Sequence, residues 1–314
     1  MEKTPPACAR LAVGSAILNQ IDESYAICNR LARRSASNFY FSFLLLPRAK
    51  RRAMYALYAF LRHVDDLGDD ERVELAARRH ALAQWRAKLD RALSGETIDP
   101  LLTALADTAN CYQIPREHLI AAIDGVEMDL NGTCYETFEQ LEEYCDRVAG
   151  MVGLACLHIW GFRGPQALEP ARHCGLAFQL TNILRDLKED IARGRVYLPR
   201  EDLRHFDYSV DDLKRLKLND QFVELIRFEI GRAEQFYESA TNLEPLLERD
   251  GRRALRTMMA TYRALLNKIK ASPAAVLRGR IRLRGWEKLR IVGEALLMPP
   301  ARPRRATSWE TVSP

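Results

Sequence analysis

The sequence predicts an all-helical protein, and three observations support this fold class. Apolar residues recur at intervals of three and four along long stretches, clearly so at 54–64 and 141–155. No proline interrupts the chain between Pro47 and Pro100, where helix-favouring Ala, Leu, Glu and Arg are abundant. No run of alternating β-branched residues bounded by turns predicts a strand.

Prolines and breaks in the apolar periodicity divide the chain into its predicted helices. In chain order these span residues 15–35, 48–67, 71–94, 100–109, 115–130, 137–161, 167–191, 219–243, 251–271 and 284–297. The chain has no repeat at solenoid spacing and no linker between halves of different composition. We therefore predict one helical domain over 1–298, followed by a disordered basic tail over 299–314.

The composition is that of an ordinary globular protein and does not predict nucleic-acid binding. The 314 residues are 47% apolar and carry a net charge of +5. Between Lys270 and Arg305, however, ten Lys or Arg are opposed only by Glu287 and Glu294. Such a stretch can attract anionic lipid headgroups or a substrate diphosphate, although a solvated basic face is the commoner explanation of a charge run.

The chain shows no signal for export or for crossing a membrane. Its N-terminus lacks the basic start and apolar core of a signal peptide, and no stretch approaches the roughly 20 apolar residues of a membrane span. The seven cysteines form no C-x-x-C pair and fit neither a zinc site nor a disulfide framework. We predict reduced thiols, a cytoplasmic protein and at most peripheral membrane contact; the sequence does not predict the oligomeric state.

Two D-x-x-x-D motifs are the most informative feature: Asp65 with Asp69, and Asp186 with Asp190. On a helix, carboxylates four positions apart lie about 5–6 Å from each other and repel, and Asp is a poor helix-interior residue. A hard divalent cation offsets both costs. Magnesium takes one or two carboxylates and completes its shell with water and phosphate oxygens.

The placement of these motifs favours a buried site over a solvated helix face. Asp65 continues the apolar stripe of its own helix. The second motif continues a polar stripe within an apolar helix, formed by Gly175, Gln179, Asn182, Asp186 and Asp190. A single motif of this kind would be interpreted as a solvated face. Two of them on apolar helices predict a shared cavity that holds metal ions around a diphosphate.

Six segments, in order, resemble the squalene/phytoene synthase family and cover about residues 30–290. They are SASNFYFSFLLLP (35–47), YALYAFLRHVDDLGDD (55–70), DGVEMDL (124–130), YCDRVAGMVGL (144–154), GLAFQLTNILRDLKEDIARGRVYLP (175–199) and TYRALLNKI (261–269). The resemblance implies an isoprenoid-synthase (class I terpenoid synthase) helical bundle around a central cavity. It also implies a reaction in which one prenyl diphosphate ionises and alkylates the double bond of a second. A cyclopropylcarbinyl diphosphate results, which many members rearrange further.

The resemblance also implies roles for individual residues. Mg²⁺, or alternatively Mn²⁺, would be bound by Asp65, Asp69, Asn182, Asp186 and Asp190, with the four aspartates and Tyr144 catalytic. The substrate would be contacted by Ser35, Ser37, Asn38, Tyr58, Arg62, Gln179, Arg185, Tyr262 and, across an alignment gap, Arg280. Arg suits phosphate because its planar fork donates two hydrogen bonds, and the tyrosine rings can stabilise cations. Packing in the core is the alternative role of the three tyrosines.

Two residues depart from the family pattern. Cys134 stands where Arg is expected, and Gly68 stands inside the first motif, where it could end or loosen the helix. Neither departure removes a predicted ligand.

Several functions stay open at this point. The sequences of these segments are most similar to those of bacterial hopanoid-pathway enzymes. This similarity favours a reaction in which two farnesyl diphosphates give presqualene diphosphate or squalene. Phytoene synthesis from geranylgeranyl diphosphate is the alternative. Reduction to squalene would need NADPH, and the lack of a G-x-G-x-x-G after a strand does not decide whether it binds. A cyclase or hydrolase acting on a single diphosphate, and a non-catalytic helical scaffold, are alternatives from other classes.

Overall fold

The computed structural model describes residues 15–35, 39–132 and 134–297, and these form a helical bundle. Its helices are α1 (Ser15–Ser35), α2 (Tyr40–Phe43), α3 (Arg48–Asp69), α4 (Leu75–Leu93), α5 (Pro100–Tyr112), α6 (Arg116–Leu130), α7 (Phe138–Cys145), α8 (Met151–Trp160), α9 (Leu168–Ala192), α10 (Arg200–His205), α11 (Val210–Lys214), α12 (Asp220–Ala240), α13 (Arg249–Ala271) and α14 (Gly285–Leu297). The described ranges contain no strand, only an isolated antiparallel bridge between Phe162 and Leu247.

The predicted fold class is confirmed, with differences at the element ends. The predicted helix 71–94 begins only at Leu75, because the backbone leaves the helical conformation at Asp70. The predicted helix 137–161 is interrupted by a π-helical turn, Asp146–Gly150, and 219–243 changes to a 3₁₀ turn after Ala240. The short helices α2, α10 and α11 were not predicted.

Helix α9 runs through the middle of the bundle and packs against α8, α12, α13 and the π-helical turn. Glycine permits the closest of these approaches. A Cβ on Gly175 would lie 2.1 Å from the carbonyl oxygen of Ala149, so α9 can rest directly on the π-helical turn only with glycine at that position. On the other side of the bundle, α3 packs against α1, α5 and α6.

Two further expectations concern the thiols and the membrane. Cys28, Cys145, Cys156 and Cys174 are buried free thiols and Cys134 is an exposed one. Cys111 is disulfide-bonded, which contradicts the prediction of a fully reduced chain. Within the described ranges, no helix combines the length and apolar character needed to cross a bilayer. The tail over 299–314 lies outside the described residues.

Candidate active site

The two acidic motifs face one internal cavity of about 840 Å³. Asp65 and Asp69 reach it from α3, and Asp186 reaches it from α9. The remaining wall comes mainly from α6, the π-helical turn, α8 and α13. The fold therefore brings together two motifs that lie more than a hundred positions apart in the sequence.

The cavity has a polar end and an apolar end, because α3 and α9 both change character along their length. Met54 and Leu57 line it from α3 before the first motif begins, and Phe178 lines it from α9 before the second. The acidic residues occupy the C-terminal halves of both helices, where the helix dipoles are negative. Cations are therefore favoured at the polar end, and hydrocarbon at the other.

The acidic pair on α3 is only half neutralised. Asp69 accepts hydrogen bonds from Arg193 at 3.0 Å and from Arg195 at 2.9 Å. Asp65 opens onto the cavity, to which its side chain is exposed. Desolvation, followed by repulsion from Asp69, raises the pKa of Asp65 to about 7, and Arg62 opposes this shift. A cation beside Asp65 would remove this strain between the two carboxylates.

The pair on α9 is similar. Arg185 donates to Asp186 through Nε and Nη2 at 2.8 and 2.5 Å, and Arg280 Nε lies 3.0 Å from the same carboxylate. Asp190 is not among the cavity-lining residues; it lies one turn further on. Desolvation, and then the charge of Asp186, raises the pKa of Asp190 to about 7, while Arg195 opposes the shift.

The donor set at the polar end fits a divalent cation. The side-chain nitrogen of Asn182 donates to Gln179 at 3.2 Å, but Asn182 Oδ1 is buried without a hydrogen-bond partner. An amide oxygen and carboxylate oxygens are the ligands that Mg²⁺ prefers. Among the described residues, no three acidic, His or Cys side chains converge on one point.

Arg62 lines the cavity one turn before Asp66, to which its Nη2 donates at 2.5 Å. With Arg185, Arg193, Arg195, Arg280 and Arg282, it makes six cavity-lining guanidinium groups. The carboxylates occupy most of these donors. A bound diphosphate and its cations could exchange partners with them at little cost in net charge.

Part of the predicted N-terminal substrate segment can be placed. Ser35 lines the cavity, with its hydroxyl donating to the carbonyl of Ala32 at 3.0 Å. Ser37 and Asn38 lie outside the described residues. Phe39, which follows them, lines the cavity and stacks on Tyr262 with ring centroids 5.2 Å apart.

The three predicted tyrosines all line the cavity. Tyr262 stacks on Phe178 at 4.3 Å, which forms an aromatic wall next to Arg185. Tyr58 lies edge-on to Phe43, with ring centroids 6.2 Å apart. Ring faces in this wall can stabilise a carbocation through the negative potential of the π-system.

Tyr144 belongs to a hydrogen-bonded group that the sequence did not predict. Its hydroxyl donates to Asp129 at 3.1 Å, and the hydroxyl of Tyr197 donates to the other oxygen of Asp129 at 2.8 Å. Desolvation raises the pKa of Asp129, although Arg195 and the two hydroxyls oppose the shift. Tyr144 lies in the last turn of α7, directly before the π-helical turn, a feature that is frequent at functional sites.

Other residues missed at the site include Arg193, Arg195 and Lys288. Asp129 had a detectable signal, because Ala122, Val126 and Asp129 form a stripe at four and three on an apolar helix. The two arginines lie in the loop that follows α9, where no periodicity marks them.

The two departures from the family pattern have different explanations. Gly68 does not end α3, which continues to Asp69. A Cβ at Gly68 would lie 2.2 Å from Val126 Cγ1, so glycine lets α3 approach the cavity-lining side of α6. Cys134 is exposed, and nothing in the structure explains its replacement of Arg.

Comparison with known proteins agrees with this geometry. A family model described as squalene/phytoene synthase matches residues 32–287. The chain is 36% identical to the phytoene synthase of Mycobacterium tuberculosis, over 89% of this chain and 92% of that one. It is 35% identical to the 15-cis-phytoene synthase of Synechococcus elongatus, over 90% of this chain and 96% of that one.

Solved structures show the same architecture. The crystal structure of a dehydrosqualene synthase has a TM-score of 0.81 and 31% identity, covering 88% of this chain and 97% of its own. The squalene synthase of Alicyclobacillus acidocaldarius has a TM-score of 0.75 and 31% identity, covering 80% and 95%.

Proposed function

Because the chain belongs to the squalene/phytoene synthase family, we propose that it condenses two prenyl diphosphates head to head, with release of diphosphate. The observation that carries the proposal is the shared cavity: two acidic helices and the arginines beside them form one end, and apolar side chains form the other. A diphosphate group fits the first end and a prenyl chain fits the second.

The first step breaks the C1–O bond of one substrate, and the bonding electron pair leaves with the diphosphate. Arg62, Arg185 and Arg280 are placed to bind that group. Asp65, Asp69, Asn182, Asp186 and Asp190 would hold Mg²⁺, which neutralises the charge that develops on the leaving diphosphate. The aromatic wall of Phe39, Phe178 and Tyr262 faces the allylic cation that remains and shields it from water.

The second step joins C1 of this cation to the double bond of the other substrate. Closure of the cyclopropane ring then releases one proton, giving a cyclopropylcarbinyl diphosphate. Tyr144 lines the cavity and donates to Asp129, so its hydroxyl can take up the proton while passing its own to that carboxylate. The raised pKa of Asp129 makes its carboxylate a better proton acceptor than an ordinary Asp.

Two chain lengths are candidates, and each has an observation in its favour. Farnesyl diphosphate, giving presqualene diphosphate or squalene, is favoured by the sequences of the 38–62 and 124–130 segments. Geranylgeranyl diphosphate, giving phytoene, is favoured by the names of the Mycobacterium and Synechococcus relatives. We give the two equal weight, and product analysis separates them.

The test supplies purified protein with Mg²⁺ and radiolabelled farnesyl or geranylgeranyl diphosphate, with and without NADPH, and with EDTA as control. A C30 diphosphate or hydrocarbon supports the farnesyl candidate, and a C40 hydrocarbon supports the geranylgeranyl one. NADPH dependence of a C30 hydrocarbon shows whether the reductant is used. A cyclised or hydrolysed single chain, or no product, contradicts head-to-head condensation.

Trp160 closes the apolar end and predicts how chain length is selected. It lines the cavity, and its carbonyl accepts from Lys50 Nζ at 2.7 Å. Lys50 precedes Asp65 by fifteen positions on α3, or about 22 Å of helix. Trp160→Leu should lengthen the cavity and shift the kcat/KM ratio toward geranylgeranyl diphosphate by about tenfold.

Cys156, one turn earlier on α8, also lines the cavity. A substitution there should change the kcat/KM ratio in the opposite direction. Cys156→Phe should shorten the cavity and shift the ratio toward farnesyl diphosphate. If both variants change the ratio in the same direction, or neither changes it, this end does not select the chain length.

A further inference from the structure

Helix α14 carries an apolar face that protrudes from the bundle. Trp286, Leu289 and Leu297 are 57%, 68% and 86% exposed within the described ranges. At about 100° per residue, these positions fall within one sector of roughly 80° of the helix. On the opposite side Ile291 is buried, and Glu287 accepts from Lys268 at 2.7 Å. The helix is therefore anchored to α13 while its outer face stays uncovered by the described residues.

Two exposed basic residues lie at the start of this helix and along it. Arg284 precedes the helix and is exposed. The guanidinium of Arg290 lies 5.8 Å from the ring of Trp286 and is only loosely paired with Glu294, at 3.6 Å. Exposed apolar groups next to exposed basic side chains are complementary to a surface that is anionic at its boundary and apolar beneath.

We propose that the α14 face, defined as Trp286, Leu289 and Leu297 with Arg284 and Arg290, docks on the surface of an anionic lipid bilayer. Tryptophan is enriched at the boundary between headgroups and acyl chains, and the two leucines would enter the acyl region beside it. The basic side chains would contact lipid phosphates. This surface is separate from the catalytic residues, so the inference does not depend on the proposed function.

The position of the face gives docking a consequence. The segment that leads into α14 lines the cavity through Arg280, Ile281 and Leu283. A bilayer held against α14 therefore lies within a few residues of the cavity wall. A water-insoluble ligand could then pass between cavity and membrane over a short distance.

The first test is co-sedimentation with vesicles of phosphatidylcholine alone, or mixed with phosphatidylglycerol. The full chain should bind the anionic vesicles, and less so as salt increases. The double variant Trp286→Ser/Leu289→Ser should lower the partition coefficient by about tenfold or more. Leu218→Ser, which removes a leucine that is 53% exposed outside α14, should not change it. Equal losses in the double variant and the control would overturn the proposal.

The charges are tested separately with Arg284→Gln and Arg290→Gln, each of which should weaken binding at low salt by about fivefold. Binding that is unaffected by both changes and by salt would contradict the role assigned to these arginines. Turnover on detergent-dispersed substrate should be unchanged in all α14 variants. Loss of turnover without vesicles would assign the helix to catalysis and overturn the docking role.

Tryptophan fluorescence measures insertion directly. The sequence has four tryptophans; Trp85 and Trp160 are buried, and Trp309 lies outside the described residues. In a Trp309→Phe background, brominated acyl chains should quench Trp286. Absence of quenching would overturn insertion of Trp286 into the bilayer. A dimer that dissociates in the Trp286→Ser/Leu289→Ser variant would show that the face binds another copy of the chain instead.

Discussion

Two of the clusters in which arginines meet carboxylates differ in whether they border open space. The cavity cluster consists of Asp65, Asp69, Asp186 and Asp190 with the cavity-lining arginines around them. The α12 cluster consists of Asp202, Glu229 and Arg232, where Arg232 lies 2.6 Å from Asp202 and 3.0 Å from Glu229.

The α12 cluster leaves no room for a ligand. The Arg232 guanidinium lies 3.9 Å from the ring of Phe138 and 4.7 Å from that of Phe228, and both carboxylates are buried. The cavity cluster has the same chemical groups, but it borders about 840 Å³ of space. A closed cluster can only hold the fold together, whereas an open one can exchange its partners for phosphate and metal. The comparison predicts opposite outcomes for mutations in the two clusters.

Asp65→Asn and Asp186→Asn should have the largest effect on the reaction. Each removes a charged oxygen from the open cluster, and we expect kcat to fall by at least about 10³-fold, or about 4 kcal/mol of activation free energy. The fold should persist, because asparagine keeps the shape. Steady-state rates together with circular dichroism measure both quantities.

Asp70→Asn is the matched control, because Asp70 directly follows the first motif but pairs with Arg72 outside the cavity. It should keep near-normal turnover. If Asp65→Asn and Asp186→Asn behave like Asp70→Asn, the open cluster does not bind the reacting diphosphate.

Arg232→Met, in the closed cluster, should lower stability and leave turnover unchanged, which is the reverse of the result expected for the open cluster. It leaves two buried carboxylates without their cation, so we expect a loss of about 3–5 kcal/mol in the free energy of unfolding. Turnover per folded molecule should be unchanged. Arg227→Met breaks an exposed pair with Glu224 on the same helix and should cost about 1 kcal/mol or less. Urea unfolding of both variants measures the difference, and similar costs would mean that enclosure does not decide it.

The sequence could predict the long helices because each spans several apolar repeats. Helices of four to six residues, such as α2, α10 and α11, are too short for a period to be visible. The π-helical turn was missed for another reason. One extra residue in a turn leaves apolar positions such as Tyr144, Val148 and Met151 at spacings that also fit an uninterrupted helix.

The site was predictable where a motif lies on one helix, and unpredictable where residues meet through the fold. Asp65 and Asp186 each have a second carboxylate four positions away on the same helix. The repulsion within such a pair is unfavourable, so the pattern indicates a functional site. Asp129 has no such partner, and its role depends on hydroxyls from α7 and from the loop after α9. The closed α12 cluster was missed for the same reason, because Asp202 comes from a different helix than Glu229.

Tyr144→Phe tests the Tyr144–Asp129 pair, whose degree of enclosure is between those of the two clusters. Asp129 is partly buried but borders the cavity. Loss of the hydroxyl should lower kcat by about 10²-fold, because the released proton then has no relay to Asp129. Tyr135→Phe is the matched control: its ring lies 5.5 Å from that of Tyr144, but its buried hydroxyl has no hydrogen-bond partner. Turnover should be unchanged and stability equal, or higher by up to about 1 kcal/mol. Equal kinetic effects would indicate packing roles for both rings.

Glu229→Gln should have the smallest effect on the free energy of unfolding. The reason also explains how the closed cluster accommodates two acidic side chains. One arginine faces two carboxylates. Desolvation of Glu229, with Asp202 beside it, raises the pKa of Glu229 to about 8 despite Arg232. The carboxyl is then largely protonated at neutral pH, and glutamine imitates that form. We therefore expect a stability change within about 1 kcal/mol near pH 5, where the unfolded chain still binds part of that proton.

The pH dependence of stability tests this interpretation. Between the unfolded pKa of 4.5 and the folded value of about 8, the folded protein keeps a proton that the unfolded chain has released. Rising pH therefore favours unfolding across that window. Relative to the wild type, Glu229→Gln should gain stability as pH increases from 5 toward 8, as measured by urea unfolding at several pH values. If the difference in the free energy of unfolding between the two proteins is constant with pH, Glu229 is already ionised at pH 5. Arg232 would then outweigh desolvation even in this buried cluster.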